Sequence, residues 1–299
     1  MITFQDQIFM QFLTGFSVVA ILIVSAIGLA IIFGVAGVIN MAHGEFIMVG
    51  AYCGYFIQQY IVGPSFAYTL FLAIPLAFVV VGLLGLIVER AIIQWIYDRP
   101  LETLLATWGV GIALRVLAKL VFGSELKEAK VPQVLEGGVR VVGFLQYPYY
   151  RMFLIVVAAV LLAITFYVIF KTDLGLKVRA VRRNRRMASC LGIDTARVDM
   201  TIFVFGSGLA GVAGAVLAPI KTVSPTMGFI YAVDSFMVLV LGGVGSLWGV
   251  AAGSGIIGEA ETILSFLTNN VIGKLLVFLF IVIAIRVVPR GIFGHYERR

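Results

Sequence analysis

Apolar positions along this 299-residue chain gather into long runs at about 10–36, 44–62, 67–88, 103–122, 152–170, 200–220, 246–268 and 272–289, with a shorter one at 228–241. A run of about 18 apolar residues is long enough to cross a bilayer as a helix. The Leu, Ile, Val and Phe stretches show no dyad alternation, so barrel strands do not fit, and backbone in lipid must then satisfy itself as helix. The pattern predicts eight crossings and a ninth segment, 228–241, that either spans or is broken and re-entrant. Residues 1–10 hold no Lys or Arg, and the run after them is too long for a signal h-region, so the first run reads as a crossing.

Composition narrows the class further. The chain is 61% apolar and 12% charged, with a mean hydropathy of +1.08. Soluble domains carry about 25% charged residues, so soluble enzymes, disordered chains and disulfide scaffolds are excluded. Cys53 and Cys190 lie far apart and form neither a framework nor a metal-ligand spacing. No metal or cofactor is expected. A net charge of +7 would suggest nucleic acid in a soluble protein. Here, however, residues 171–197 carry eight basic residues (Lys171, Lys177, Arg179, Arg182, Arg183, Arg185, Arg186 and Arg197) against Asp173 and Asp194, which is +6 of that total. A basic loop between crossings marks the cytoplasmic side, so no nucleic-acid partner is expected. Threading nine crossings from it puts the N-terminus outside, 89–102 inside, 123–151 outside and the C-terminus in the cytoplasm. The inner loops then hold 14 basic residues, among them Arg90, Arg99, Arg286, Arg290, Arg298 and Arg299, and the outer ones hold six.

The basic loop has helical periodicity. At 100° per residue Arg179, Arg182, Arg183 and Arg186 fall within about 100° of one another, while Leu176, Ala180, Ala188 and Leu191 occupy other faces. Residues 174–191 therefore read as one short amphipathic helix stopped by Gly192-Ile-Asp194. Such a helix either lies on anionic lipid or docks into another protein. Small residues recur from Gly206 to Gly214, including Gly211, and again at Gly245, Gly249 and Gly253. They serve close helix packing or breaks around a substrate path, and Gly242, Gly243 and Gly245 beside the short segment suit a break. Polar groups inside apolar runs are functional candidates. Asn40, His43 and Glu45 sit around Gly44, which permits a backbone break, and they either hydrogen-bond that break or line a path. Thr107, Trp108 and Asp234 are further path candidates. Glu259 and Glu261 are snorkelling or cavity-facing carboxylates. Ser207 with His43 is a poor intramembrane hydrolase, since the only other histidine is His295 in the tail. No GxxxxGK[ST] loop is present, so any ATP must be hydrolysed by another subunit. A passive channel would need no docking helix.

Several stretches together resemble the inner-membrane permeases of branched-chain amino acid-type ABC importers, the LivH group. They are Gly28-Leu-Ala-Ile-Ile-Phe-Gly34 with Val38-Ile-Asn-Met-Ala-His-Gly-Glu-Phe46; Leu174-Gly175, Arg179-Ala180, Asn184, Ala188 and Gly192-Ile193; and Gly211-Val-Ala-Gly214 with Leu241-Gly-Gly-Val-Gly245. Two more, Arg99-Pro-Leu-Glu-Thr-Leu-Leu-Ala-Thr-Trp-Gly109 and Val233–Gly249, look more like the urea-importer permeases of that group. The resemblance implies an all-α polytopic permease fold of eight or nine membrane helices with a pseudo-repeat, forming one domain over 1–299 in a bacterial inner membrane. It implies a coupling segment at 171–199, in which Gly175, Arg179, Ala180, Arg182, Arg183, Arg186, Ala188 and Gly192 meet an ATPase. The partners implied are a second permease subunit, two cytoplasmic ATPases and an extracytoplasmic binding protein. The expected cargo is urea, with branched-chain amino acids as the alternative. Lys221, Glu259 and Glu261 depart from the group's pattern.

Overall fold

A computed structural model describes residues 4–62, 69–97, 99–142, 145–288 and 291–293. The tail residues Arg290, His295, Arg298 and Arg299 lie outside them. The helices run α1 (Phe4–Ile31), α2 (His43–Phe56), α3 (Thr69–Ala91), α4 (Pro100–Phe122), α5 (Tyr149–Lys171), α6 (Asp173–Arg183), α7 (Arg185–Cys190), α8 (Thr195–Leu217), α9 (Met227–Gly242), α10 (Leu247–Leu267) and α11 (Asn270–Val287). Among the described residues seven are long and apolar enough to span a bilayer, all but α2, α6, α7 and α9. Helix α2 is extended by a π-helical turn, Ile57–Val62, and α9 is the short apolar segment foreseen at 228–241. The fold is an all-α polytopic membrane bundle.

The column of the bundle is α8. From Gly206 to Leu217 every residue is buried. Apolar side chains gain nothing by leaving lipid for one another, so close helix contact depends on small residues. At three glycines of α8 a neighbouring backbone comes within reach. A Cβ at Gly206 would meet the Gly28 carbonyl of α1, one at Gly211 the Ala77 carbonyl of α3, and one at Gly214 the Ile47 carbonyl of α2. A second core lies between α1, α9, α10 and α11 around Leu22, Leu29, Val238, Val250 and Ile281. There Gly242 and Gly249 face each other across the turn from α9 to α10.

Two chain breaks shape the interior. After α1 a π-helical turn, Ile32–Ala36, ends at Gly37 (φ 68°), and residues 37–42 are non-helical. The break thus lies at Gly37, where the left-handed conformation suits glycine, and not at Gly44 as the sequence suggested. Gly44 is inside the first turn of α2, pressed against the Gly228 carbonyl of α9. The second break falls where expected, with Gly243 at φ 102° and Gly245 at φ 74°.

The basic segment is not one helix. Asn184 leaves helical geometry (φ −160°, ψ 100°), and its Oδ1 accepts the Met187 amide at 3.0 Å as the N-cap of α7. Asparagine competes well for such caps, which a periodicity count over 174–191 does not register. Gly192, with φ 81°, ends α7 as foreseen. At the opposite end of the bundle β1 (Gly138–Val142) and β2 (Leu145–Pro148) form an antiparallel hairpin. Its Tyr147 hydroxyl donates to the Leu13 carbonyl at 3.0 Å, and Gln58 pairs with the Lys130 backbone at 2.6 and 2.7 Å.

Replacing Gly214 by Leu forces α2 off α8, at an overpacking cost of about 1–3 kcal/mol or more. The thermal midpoint of the purified protein, read by fluorescence-detected gel filtration, falls by about 5 °C or more. Gly255→Ala, where a Cβ meets nothing within 4 Å, leaves it unchanged.

Candidate functional site: a polar pair in an apolar groove

Three buried side chains surround the first break. Asn40 Oδ1 accepts the Ala42 amide at 3.1 Å. The Thr107 hydroxyl accepts the Met41 amide at 3.1 Å and lies 3.2 Å from the Ile39 carbonyl. His43 Nε2 donates to the Ser25 carbonyl at 2.8 Å. All three residues are fully buried. Non-helical backbone at membrane depth needs such partners. Asn40, His43 and Thr107 therefore support the break from behind and do not face open space.

One turn further on, Glu45 emerges into a groove of about 340 Å³ between α2, α4, α9 and α11. Its carboxylate is 3% exposed and pairs with Arg115 of α4, whose Nε lies 3.1 Å from Oε1 and whose Nη2 also contacts it. Two glycines make room for it. A Cβ at Gly228 would meet Glu45 Oε2, and one at Gly111 would come within 3.4 Å of its Cγ. Oε2 is buried with no hydrogen-bond partner among the described residues. The Arg115 guanidinium sits 6.0 Å from the centroid of the Phe229 ring, a contact that favours a cation stripped of water. The remaining walls are apolar, chiefly Trp108, Ile112, Phe236, Met237 and Phe278. Removing two charges from water is expensive, so an ion pair in such surroundings is weak evidence of stability and a functional candidate by default.

Of the sequence-derived path residues, Glu45 and Trp108 line this groove. Asp234 does not. It lies on the other side of α9, where Lys274 of α11 holds both its oxygens at 2.8 and 3.0 Å. Arg115 was missed. Its only sequence signal was a cation inside an apolar run, the same test that selected Glu45. Ser207 packs against Gly85 of α3, while His43 is committed to Ser25.

The α6–α7 segment also differs from expectation in its facing. Arg179 folds back to the Ile169 carbonyl at the end of α5 and over the Phe170 ring at 5.7 Å. Gly175 and Ala188 are buried in this chain's own core, and a Cβ at Gly175 would overlap the Ile169 carbonyl. Arg182 Nη1 donates to the Gly245 carbonyl at 3.0 Å, gripping the turn between α9 and α10. Arg185 lies 2.5 Å from the fully buried Asp199 of α8 and 5.4 Å from the Tyr97 ring centroid. The Tyr97 hydroxyl donates to Glu89 at 3.3 Å. Burial, with Glu89 and Asp199 nearby, pushes that phenol well above its usual range, so it stays a donor. Arg179, Arg182 and Arg185 thus bolt the segment to the bundle. Arg183 and Arg186 are exposed, beside the exposed apolar side chains of Leu176, Met187 and Leu191.

The family model described as "Branched-chain amino acid transport system / permease component" matches residues 11–285. The high-affinity branched-chain amino acid transport system permease protein LivH of Escherichia coli (strain K12) is 30% identical over 291 residues, covering 91% of each chain. The corresponding permease protein BraD of Pseudomonas aeruginosa is 26% identical and covers 96% of each. LivM of Salmonella typhimurium is 25% identical over 77% of this chain and 58% of its own. No solved structure matches this chain. With nearly the whole bundle matched, from the first crossing to the last, the chain belongs to the family of permease components of branched-chain amino acid transport systems, and it is a transport subunit and not an enzyme.

Proposed function

We propose that the chain forms half of the membrane path of an ATP-driven importer and passes a zwitterionic, aliphatic amino acid along the Glu45–Arg115 groove. That pair in an otherwise apolar groove carries the reading. Arg115 suits an α-carboxylate, bidentately if both donors turn to it. The unpartnered Glu45 Oε2 suits an α-ammonium, and the apolar walls suit a branched side chain. Because each charge already has a partner, the cargo exchanges one ion pair for two and is held weakly, as a path requires. The permease names of the LivH and BraD relatives point to the same cargo. Urea, favoured by the stretches at 99–109 and 233–249, is the second reading. It offers neither a charge to the pair nor an apolar surface to the walls.

Movement reaches the groove from the α6–α7 end. With the N-terminus outside and α6–α7 in the cytoplasm, the exposed patch of Leu176, Arg183, Arg186, Met187 and Leu191 takes a cytoplasmic ATPase. Each of two permease subunits meets one ATPase, and a LivM-like chain is the natural second subunit. The Arg182–Gly245 bond then pulls on the turn that starts at the C-terminus of α9, and α9 carries Phe229, Phe236 and Met237 of the groove. A binding protein delivers cargo to the outer end.

Proteoliposomes holding the full complex take up labelled leucine on ATP addition, and urea no faster than empty vesicles leak it. The reverse ranking makes urea the cargo. Arg115→Met and Glu45→Gln each lower leucine uptake about tenfold or more, the scale of a charge-assisted bond. Arg182→Ala keeps ATP hydrolysis within about twofold, while uptake per ATP falls about tenfold, the scale of a site-to-site coupling energy. The double charge reversal Arg183→Glu with Arg186→Glu lowers ATPase co-purification instead.

A further inference from the structure

We propose that a second cavity, across α9 from the groove, binds a small group that carries both an ammonium and an anion. The cavity holds about 290 Å³ and lies at the end of the bundle away from α6–α7. Four charges line it, Lys221 after α8, Asp234 on α9, Glu261 on α10 and Lys274 on α11. Two of them satisfy each other, since Lys274 Nζ bridges both oxygens of Asp234. The other two, Glu261 and Lys221, make no ion pair within 4 Å among the described residues. One carboxylate and one ammonium, neither in contact with an opposite charge, thus face the same cavity.

This charge arrangement selects the ligand. A simple anion is drawn by Lys221 and repelled by Glu261, and a simple cation meets the reverse. A ligand carrying both signs in one short frame satisfies both with charge-assisted bonds. The hydroxyls of Tyr231, Thr222 and Ser224 add donors and acceptors, while Val18, Ile21 and Leu22 of α1 give the cavity an apolar side. Two sources supply this chemistry. One is an α-amino acid, with its aliphatic side chain on α1. The other is the ethanolamine phosphate headgroup of a lipid, with its acyl chains there. The first source rests on the amino acid cargo proposed above; the chemistry of the site does not.

The test uses the full complex in nanodiscs of two compositions. In discs of phosphatidylcholine alone, labelled leucine binding is measured at equilibrium on a Glu45→Gln background, which removes the groove. In discs containing phosphatidylethanolamine, retained lipid is counted by native mass spectrometry. The site predicts that Glu261→Gln and Lys221→Met each weaken leucine binding, or lipid retention, about tenfold, while Lys221→Arg preserves it. Loss of leucine binding alone identifies the amino acid as the source, and loss of lipid retention alone identifies the headgroup. Unchanged leucine and lipid binding in both variants, with gel-filtration profiles and thermal midpoints like wild type, overturns the site. A wild-type complex that transports no leucine but loses phosphatidylethanolamine in the variants refutes the cargo reading and leaves the site standing.

Discussion

The whole arrangement hangs on backbone-to-backbone contact along α8. In a bilayer two helices gain little by hiding apolar side chains from lipid, so specificity must come from how closely their backbones approach. Glycines 206, 211 and 214 let three neighbours, α1, α3 and α2, close on α8 at carbonyl distance. That fixes α2, and α2 carries Glu45 in its first turn. A second glycine contact, Gly44 against Gly228, brings α2 and α9 together beside it, and Gly228 leaves the space that the carboxylate fills. The polar pair in the groove is thus a consequence of where the bundle tolerates no side chain at all.

The same logic accounts for the two chain breaks. Each short helix, α2 and α9, adjoins a break, and each break is closed by specific partners. At the first, side chains of Asn40 and Thr107 take backbone amides of the non-helical stretch, and His43 ties the start of α2 to the Ser25 carbonyl of α1. At the second, Arg182 of α6 takes the Gly245 carbonyl. The second bond ties α6 to the turn after α9, whose side chains line both cavities.

Much of the fold was legible because lipid imposes a length and a composition on each crossing. Predicted runs such as 152–170 and 272–289 differ from the observed helices by at most three residues at either end. The break at Gly243 and Gly245 was legible from composition, and the one at Gly37 was misassigned to Gly44 because a glycine for turning and a glycine for packing look alike in sequence. The facing of charges was the least legible. Arg179, Arg182, Arg183 and Arg186 share one side of an ideal helix, yet Arg179 folds onto the Ile169 carbonyl, Arg182 reaches the Gly245 carbonyl, and Arg186 lies beyond the Asn184 cap on a separate helix. Glu45 and Arg115 lie 70 positions apart, and no local periodicity connects them. Asp234 was read as a path residue, but which of the two cavities an α9 side chain faces depends on the packing of α10 and α11.

The central claim is that cargo occupies the Glu45–Arg115 groove, and site-directed labelling tests it most directly. In a background with Cys53 and Cys190 replaced by serine, Ile112→Cys places a thiol on the groove wall of the reconstituted complex. Saturating leucine is expected to slow its modification by a small methanethiosulfonate several-fold, with urea having no effect and Arg115→Met abolishing the protection. Equal labelling rates with and without leucine, in a complex that transports leucine, would contradict the account.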